Sequence, residues 1–266
     1  PYTIIIGAHY DHLGTGELGS SLDPEPKGKI HNGADDNASG VAGVIELARY
    51  FTSNKIKENC NFLFLCFSGE ELGLYGSKSF AENSSFDPKK IQLMINMDMI
   101  GRLDSKEKKL MVYGIGTSPS LPELVNNFKP ADFNLVLDSS GMGPSDHTSF
   151  YLKDIPVLAF FTGQHSEYHK PEDDADKINF KGEKEILVYV AQIADAASKK
   201  EKLSFTPTKS KDMGRTKFKV TLGIMPDYMF TGSGVKVDGV KEDKPAKNAG
   251  IQKGDIIKSL GGIEIT

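Results

Sequence analysis

The chain has 266 residues, with 36 acidic and 32 basic side chains and a formal net charge of −4. No Lys/Arg run supplies the basic footprint of a nucleic-acid binder, and no apolar run approaches the ~20 residues that a membrane-spanning helix needs. The length suits one large domain, or one and a half, burying roughly 70% of its unfolded surface without covalent staples.

The first residues, PYTIIIGAHY, open inside a strand pattern with no initiator Met and no signal peptide, so an N-terminal portion is expected to be missing. Residues 2–8 read as a buried strand leading into His9. SGVAGVIELARYF, 39–51, places Val41, Val44, Ile45 and Leu47 at helical spacing, with Ser39 as the cap. NFLFLCFS, 61–68, reads as a second buried strand. Cys60 and Cys66 lie about 20 Å apart along it, too far for a mutual disulfide, and read as buried hydrophobes. A short helix is expected at 75–81, strands at 91–101 and 109–113, and a helix at 121–128. Strands at 133–137 and 156–161 follow, and an amphipathic helix at 183–198 closes the unit. Alternating strands and helices predict an α/β layer fold, and near-continuous apolar strands predict a sheet covered on both faces. From residue 199 the texture becomes charged and poor in large apolar residues. A linker is expected at 201–216, then a small domain of short β segments and Gly turns at 217–266.

Potential metal ligands gather at predicted strand ends. His9 ends the first strand; Asp35 and Asp36 stand side by side in HNGADDNASG, before the first helix. Glu70 and Glu71 follow the second strand in CFSGEELGLYGS, Asp98 ends the third in NMDMIG, and His169 lies in EYHKPEDD. Adjacent carboxylates in a loop of small residues repel one another, and a bound cation would stabilise them. In open α/β sheets, ligands bind outside the carboxyl ends of the strands. Each piece alone has an ordinary reading: a hydrogen-bonded His, a solvated Asp-Asp turn, a Glu pair complementing a helix dipole. Their joint occurrence at one sheet edge argues for a site. Oxygen ligands with two imidazoles and no thiolate suit catalytic Zn²⁺, with Co²⁺ or Mn²⁺ as substitutes.

Together, GAHYDHLG, GADDNASG, SGEELGLYGS, NMDMIG and YHKPEDD resemble the co-catalytic di-zinc aminopeptidases, the bacterial leucyl aminopeptidases and glutamate carboxypeptidase II-like enzymes, over about residues 1–200. The resemblance implies a three-layer αβα zinc-exopeptidase fold on a mixed, mostly parallel sheet. It implies that His9 and Asp98 bind one Zn²⁺, Glu71 and His169 a second, and that Asp36 bridges them. Two Zn²⁺, three carboxylates and a shared hydroxide sum to a neutral cluster, cheaper to hold in a partly dry cleft than bare carboxylates. Glu70 is then the general base, Asp11 the carboxylate that hydrogen-bonds near the first-strand ligand, and Tyr168 a stabiliser of the oxyanion. Asp35 should turn away and bond to backbone. The substrates implied are peptides with a free N-terminus. Asp146 and His147, in GPSDHTSF, are either supporting or substrate-facing groups, or only a helix start capped by Ser145 or Asp146. His12, His31 and His165 receive no role and are expected at the surface.

The C-terminal segments resemble a PDZ domain of the bacterial protease-associated type. Leu222, Gly223 and Ile224 match its carboxylate-binding loop, and the chain stops before that domain's later helix. Such a module would bind a peptide or protein by strand addition; a packing or dimerisation role is the alternative. Relatives carrying such appendages point to a periplasmic or secreted location. Three other functions fit the sequence less well. Glutaminyl cyclisation, with one zinc, uses Trp around the substrate, and this chain has none. A carboxypeptidase for acidic C-termini needs an Arg cluster, and only Arg102 lies near a motif. A non-catalytic receptor or scaffold would not need every ligand position filled.

Overall fold

The computed structural model of the chain describes residues 1–17, 20–83, 87–208, 222–226, 230, 232–240 and 244–265. Strands β1 (Thr3–His9), β2 (Asn61–Phe67), β3 (Ile91–Met97), β4 (Lys109–Tyr113), β5 (Asn134–Leu137) and β6 (Val157–Phe161) form one sheet in the order β2-β1-β3-β6-β4-β5. The first four strands in that order run parallel; β4 meets β6 antiparallel and β5 follows β4 in parallel. The sheet is therefore mixed and mostly parallel. Its C-terminal edge at β1 and β3 presents His9 and Asp98 from neighbouring strands.

Period-2 alternation divides the strands between two apolar layers. Ile4, Ile6 and Ala8 of β1 and Leu93, Ile95 and Met97 of β3 join one cluster with Val44, Leu47 and Phe51 of helix α1 (Gly40–Ser53). Helix α5 (Phe180–Ser198) completes that layer with Ile186, Tyr189, Val190 and Ile193. Ile5 and Met94 face the other way, toward Phe67, Phe150 and Tyr151. Each such side chain, wholly buried, contributes about 1.5–3 kcal/mol. Helices α2 (Tyr75–Asn83) and α4 (His147–Tyr151) cover this second face, and α3 (Leu121–Asn127) lies beside α5 on the first. α5 begins three residues before the predicted 183, because the Asn179 side chain accepts from Gly182 N at 3.0 Å and caps it.

Two expectations of burial fail at β2. Its uniformly apolar run suggested a strand covered on both faces, but β2 is the sheet's edge and most of it is half-exposed. Cys66 is accordingly exposed, whereas Cys60 is half-buried and packs against the core. Ser39 stands at the N-cap of α1 without capping it. Its hydroxyl donates to Asp35 O at 2.8 Å and accepts from Ile100 N at 3.1 Å, tying the turn before α1 to the strand end of β3.

The start of the predicted linker is docked. Leu203 is buried, Phe205 packs on Tyr151 with ring centroids 5.4 Å apart, and Thr206 N donates to Thr117 O at 2.9 Å. Residues 209–221 lie outside the described residues. Beyond them, β7 (Ile224–Pro226) pairs antiparallel with β8 (Val235–Val240), and β8 with β9 (Ile256–Ile257). Helix α6 (Pro245–Asn248) and the hairpin of β10 (Ser259–Leu260) and β11 (Ile263–Glu264) complete the described part. Among the described residues no helix is long and apolar enough to cross a membrane.

Candidate metal centre

The first half of the centre rests on the sheet. His9 is 1% exposed. Its Nδ1–H donates to Asp11 O at 3.1 Å, which turns Nε2 to Asp98 Oδ1 at 3.5 Å and Asp36 Oδ1 at 3.3 Å. Asp36 arrives from the irregular turn Ala34–Ser39. Asn37 pins that turn to the end of β3: its amide donates to Met97 O at 3.1 Å, and its oxygen accepts from Gly40 N and Met99 N. The approach is close enough that a Cβ at Gly40 would sit 2.4 Å from Met97 O, which explains the glycine.

The second half is built by loops. His169 Nδ1–H donates to Ser20 O at 3.0 Å, leaving Nε2 3.3 Å from both Asp36 Oδ2 and Glu71 Oε2. His169 has φ 55°, a left-handed conformation costing about 1–2 kcal/mol for a residue with a Cβ. The segment beside it holds it there: Leu22 N and Ser21 Oγ both donate to His169 O. Asp11 joins the two halves. Its carboxylate accepts Glu70 N at 3.1 Å and Glu71 N at 3.3 Å, so the loop after β1 fixes the loop after β2. The adjacent glutamates then diverge, Glu71 toward His169 and Glu70 into the cleft, where Asp98 is its strongest charged neighbour.

The spacing fits a cation. Ligand atoms of His9, Asp36 and Asp98 all lie within 4.8 Å of one another, so the five residues expected to ligate converge on one place, with Asp36 shared. The imidazole-to-carboxylate separations of 3.3–3.5 Å are longer than a charge-assisted hydrogen bond of about 2.7–2.9 Å. They match the ~3.3 Å between two ligand atoms that each sit about 2.0–2.1 Å from a tetrahedral zinc.

Electrostatics give the same account. Burial acts to depress His9, but Asp98 and Asp36 raise it well above the usual imidazole range. Burial likewise opposes His169, which Asp36 and Glu71 nevertheless raise to about 10. Burial and then the Asp98 charge push Glu70 up to about 9. Against the push of burial, His169 and His9 hold Asp36 far below the carboxylate range, and His12 and His169 hold Glu71 low. The metal-free centre thus keeps protons where positive charge is needed, and a cation would displace them.

Asp35 turns away from the centre as expected. It is fully buried; Oδ1 accepts Gly101 N at 2.7 Å, and Oδ2 lies 3.3 Å from His165 Nε2. Behind it Asp173, also fully buried, accepts from Asp35 N and Asp36 N and pairs with Arg102 at 3.2 Å.

Three histidines expected at the surface are not there. His165 belongs to the Asp35 network, with its Nδ1 3.2 Å from Glu167. His31 is 4% exposed, its Nε2 2.7 Å from Ser21 Oγ. His12 lies inside the centre, with Nδ1 2.8 Å from Glu71 Oε1. The loop 10–17 folds back over the strand ends, and a polar loop sequence gives no sign of that. The one signal for His12 is its place three residues after His9 in GAHYDHLG.

Tyr168 stacks on His169 with ring centroids 3.9 Å apart and borders the cleft. Asp146 stands at the start of α4, but neither it nor Ser145 caps the helix with its side chain; Ser145 Oγ accepts from Asn96 at 2.8 Å. Burial raises Asp146 to about 6 and lowers His147, which borders the cleft, to about 4. Leu222 and Gly223 precede β7, Ile224 opens it, and Leu222 O accepts from Ala246 N at 2.9 Å.

The model of peptidase family M28 matches residues 1–194. A probable leucine aminopeptidase of Arthroderma otae is 29% identical over 192 residues, 67% of this chain and 49% of the relative. Among solved structures, the LapA aminopeptidase of Legionella pneumophila superposes with a TM-score of 0.60 at 26% identity, covering 76% of this chain and 53% of that one. BSAP, a zinc aminopeptidase of Bacillus subtilis, gives 0.62 at 26% identity, covering 77% and 49%. The chain spans about half the length of these relatives.

Proposed function

The chain belongs to peptidase family M28, and on that premise we propose that it is a zinc-dependent aminopeptidase that hydrolyses the N-terminal peptide bond of peptides. The observation that carries this reading is the pair of donor sets, His9 with Asp98 and His169 with Glu71, meeting on the two oxygens of Asp36. His9, Asp36 and Asp98 would hold one Zn²⁺, and Asp36, Glu71 and His169 the other. When bound, the pair lowers the pKa of a water and polarises the scissile carbonyl. The same pair of sets weighs against one-zinc glutaminyl cyclisation.

Glu70 accepts the proton of the attacking water and hands it to the leaving amine. Its hold on a proton, about 9 without cations through burial and then the Asp98 charge, would weaken as neighbouring positive charge offsets both. Neutrality is the range in which a general base works best. Asp11 fixes the backbone of that base and of Glu71 through the two N–H bonds described above. Tyr168, stacked on His169, donates toward the developing oxyanion. Met99, Tyr113, Pro144, Ala159 and Phe161 line the cleft and select an apolar N-terminal side chain. Each further methylene is worth about 0.8 kcal/mol, or roughly fourfold in kcat/KM. The C-terminal strands β7–β9 with α6 form a PDZ-like module that binds peptide or protein.

Replacing Glu70 with Gln tests the reading. Hydrolysis of an aminoacyl anilide should fall by about 10²–10⁴-fold while two zinc ions stay bound. Hydrolysis surviving at the wild-type rate would remove Glu70 as the base.

A further inference from the structure

His12 lies outside the ligand set implied by the resemblance, although a ring nitrogen lies within 4.8 Å of ligand atoms of Asp36 and Glu71; its individual distances give it a different role. Nδ1 is 2.8 Å from Glu71 Oε1 and 3.9 Å from Asp36 Oδ2. The first distance is that of a direct, charge-assisted hydrogen bond; the 3.3 Å between His169 Nε2 and Glu71 Oε2 is the separation of two atoms with an ion between them. A carboxylate oxygen can only accept, so Nδ1 carries the hydrogen. Glu71 is thereby divided: Oε1 is taken by His12 and Oε2 faces His169. The ring is held in place from two sides. A Cβ at Gly33, which has φ 60°, would lie 2.7 Å from His12 Cγ, so the glycine makes room for it. On the other side the ring meets His169 edge-on, with centroids 5.8 Å apart.

We propose that His12 is a positioning residue for the second metal ion, holding Glu71 by Oε1 so that Oε2 is presented to the ion shared with His169. Groups that orient a ligand from behind typically control metal affinity 10–100-fold. This centre spends one on a loop carboxylate with no strand beneath it. Among the described residues His12 makes no polar contact with His9 or Asp98, which would hold the first ion.

The inference rests on the two-zinc reading above, and its test separates the two. Zinc affinity of the full chain is measured by chelator competition for wild type, His12→Leu and His12→Asn, with thermal unfolding of each metal-free protein. The Asn side chain brings an N–H to the place of Nδ1 but is a poor zinc ligand. Expected are two ions on wild type, a second-ion Kd weakened 10–100-fold in His12→Leu with the first-ion Kd unchanged, and recovery to within a few-fold in His12→Asn. Equal second-ion affinity in His12→Leu and wild type would overturn the proposal. So would equal weakening in both variants, since that would make His12 itself a ligand. Weakening of both ions together, with a lowered unfolding temperature, would reduce it to a packing residue and also overturn the proposal. A wild-type chain that takes no second ion would instead contradict the zinc reading.

Discussion

The two halves of the centre meet on Asp36 but are held by different means. His9 and Asp98 leave the ends of neighbouring strands, and His9 ends a strand whose residues are all buried. Glu71 and His169 come from loops, His169 with a left-handed backbone, and their placement depends on hydrogen bonds to Asp11 and Ser20 and from His12, Leu22 and Ser21. One half is positioned by packing, which deletes cooperatively; the other by polar contacts, which delete one at a time. Two ions held in the proposed sites would therefore differ in affinity and in tolerance to mutation.

The largest effect should come from the residue that belongs to both halves. Asp36→Asn removes a charge common to both donor sets, so zinc content should drop below two per chain. Hydrolysis should fall by more than the about 10²–10⁴-fold expected from losing the base alone. Next comes Asp173→Ala, which strips the nearer of two carboxylates from Arg102 and the acceptor from two backbone N–H groups. A broken buried pair costs about 3–5 kcal/mol, read as a lower urea midpoint. Because Asp173 follows His169 in the same loop, the loss should weaken the second ion more than the first.

Ligand deletions then compare the halves directly. His9→Gln should destabilise the metal-free fold and abolish the first ion. His169→Gln should lower the urea midpoint of the metal-free protein less than His9→Gln does and release only the second ion. Equal midpoints for the two variants would erase the distinction between packed and hydrogen-bonded halves.

The smallest effect concerns pH. His169 has a folded pKa raised to about 10, so the stability it contributes is complete below its unfolded value near 6.5 and is lost as pH rises toward 10. Glu70, raised to about 9, carries a proton that unfolding would release, so its contribution also falls as pH rises above the unfolded value near 4.5. Both act in the same direction. The chelated protein should therefore lose urea stability steadily from about pH 6.5 to 10, and zinc should flatten the curve.

The halves also differed in legibility. Strand-end residues are readable because an apolar run and its end fix both position and direction; that placed His9 and Asp98 at the sheet edge, while their role as ligands came from the joint motifs. Asp36, Glu71 and His169 were readable through motif resemblance, since loop sequences do not state which way a side chain points. His12, His31 and His165 were misplaced because burial of a loop residue depends on which loop folds over it. Cys66 was misplaced for a related reason: an apolar strand reads as buried until strand order puts β2 at the edge. The start of α5 was missed because its cap, Asn179, lies before the periodic apolar stretch that marks the helix.

The most direct test is zinc-edge anomalous diffraction from crystals of the full chain soaked in zinc after chelation. The account predicts two peaks, one touching His9 and Asp98 and the other Glu71 and His169, with an oxygen of Asp36 at each. A single peak, or two peaks of which either stands away from Asp36, would contradict it.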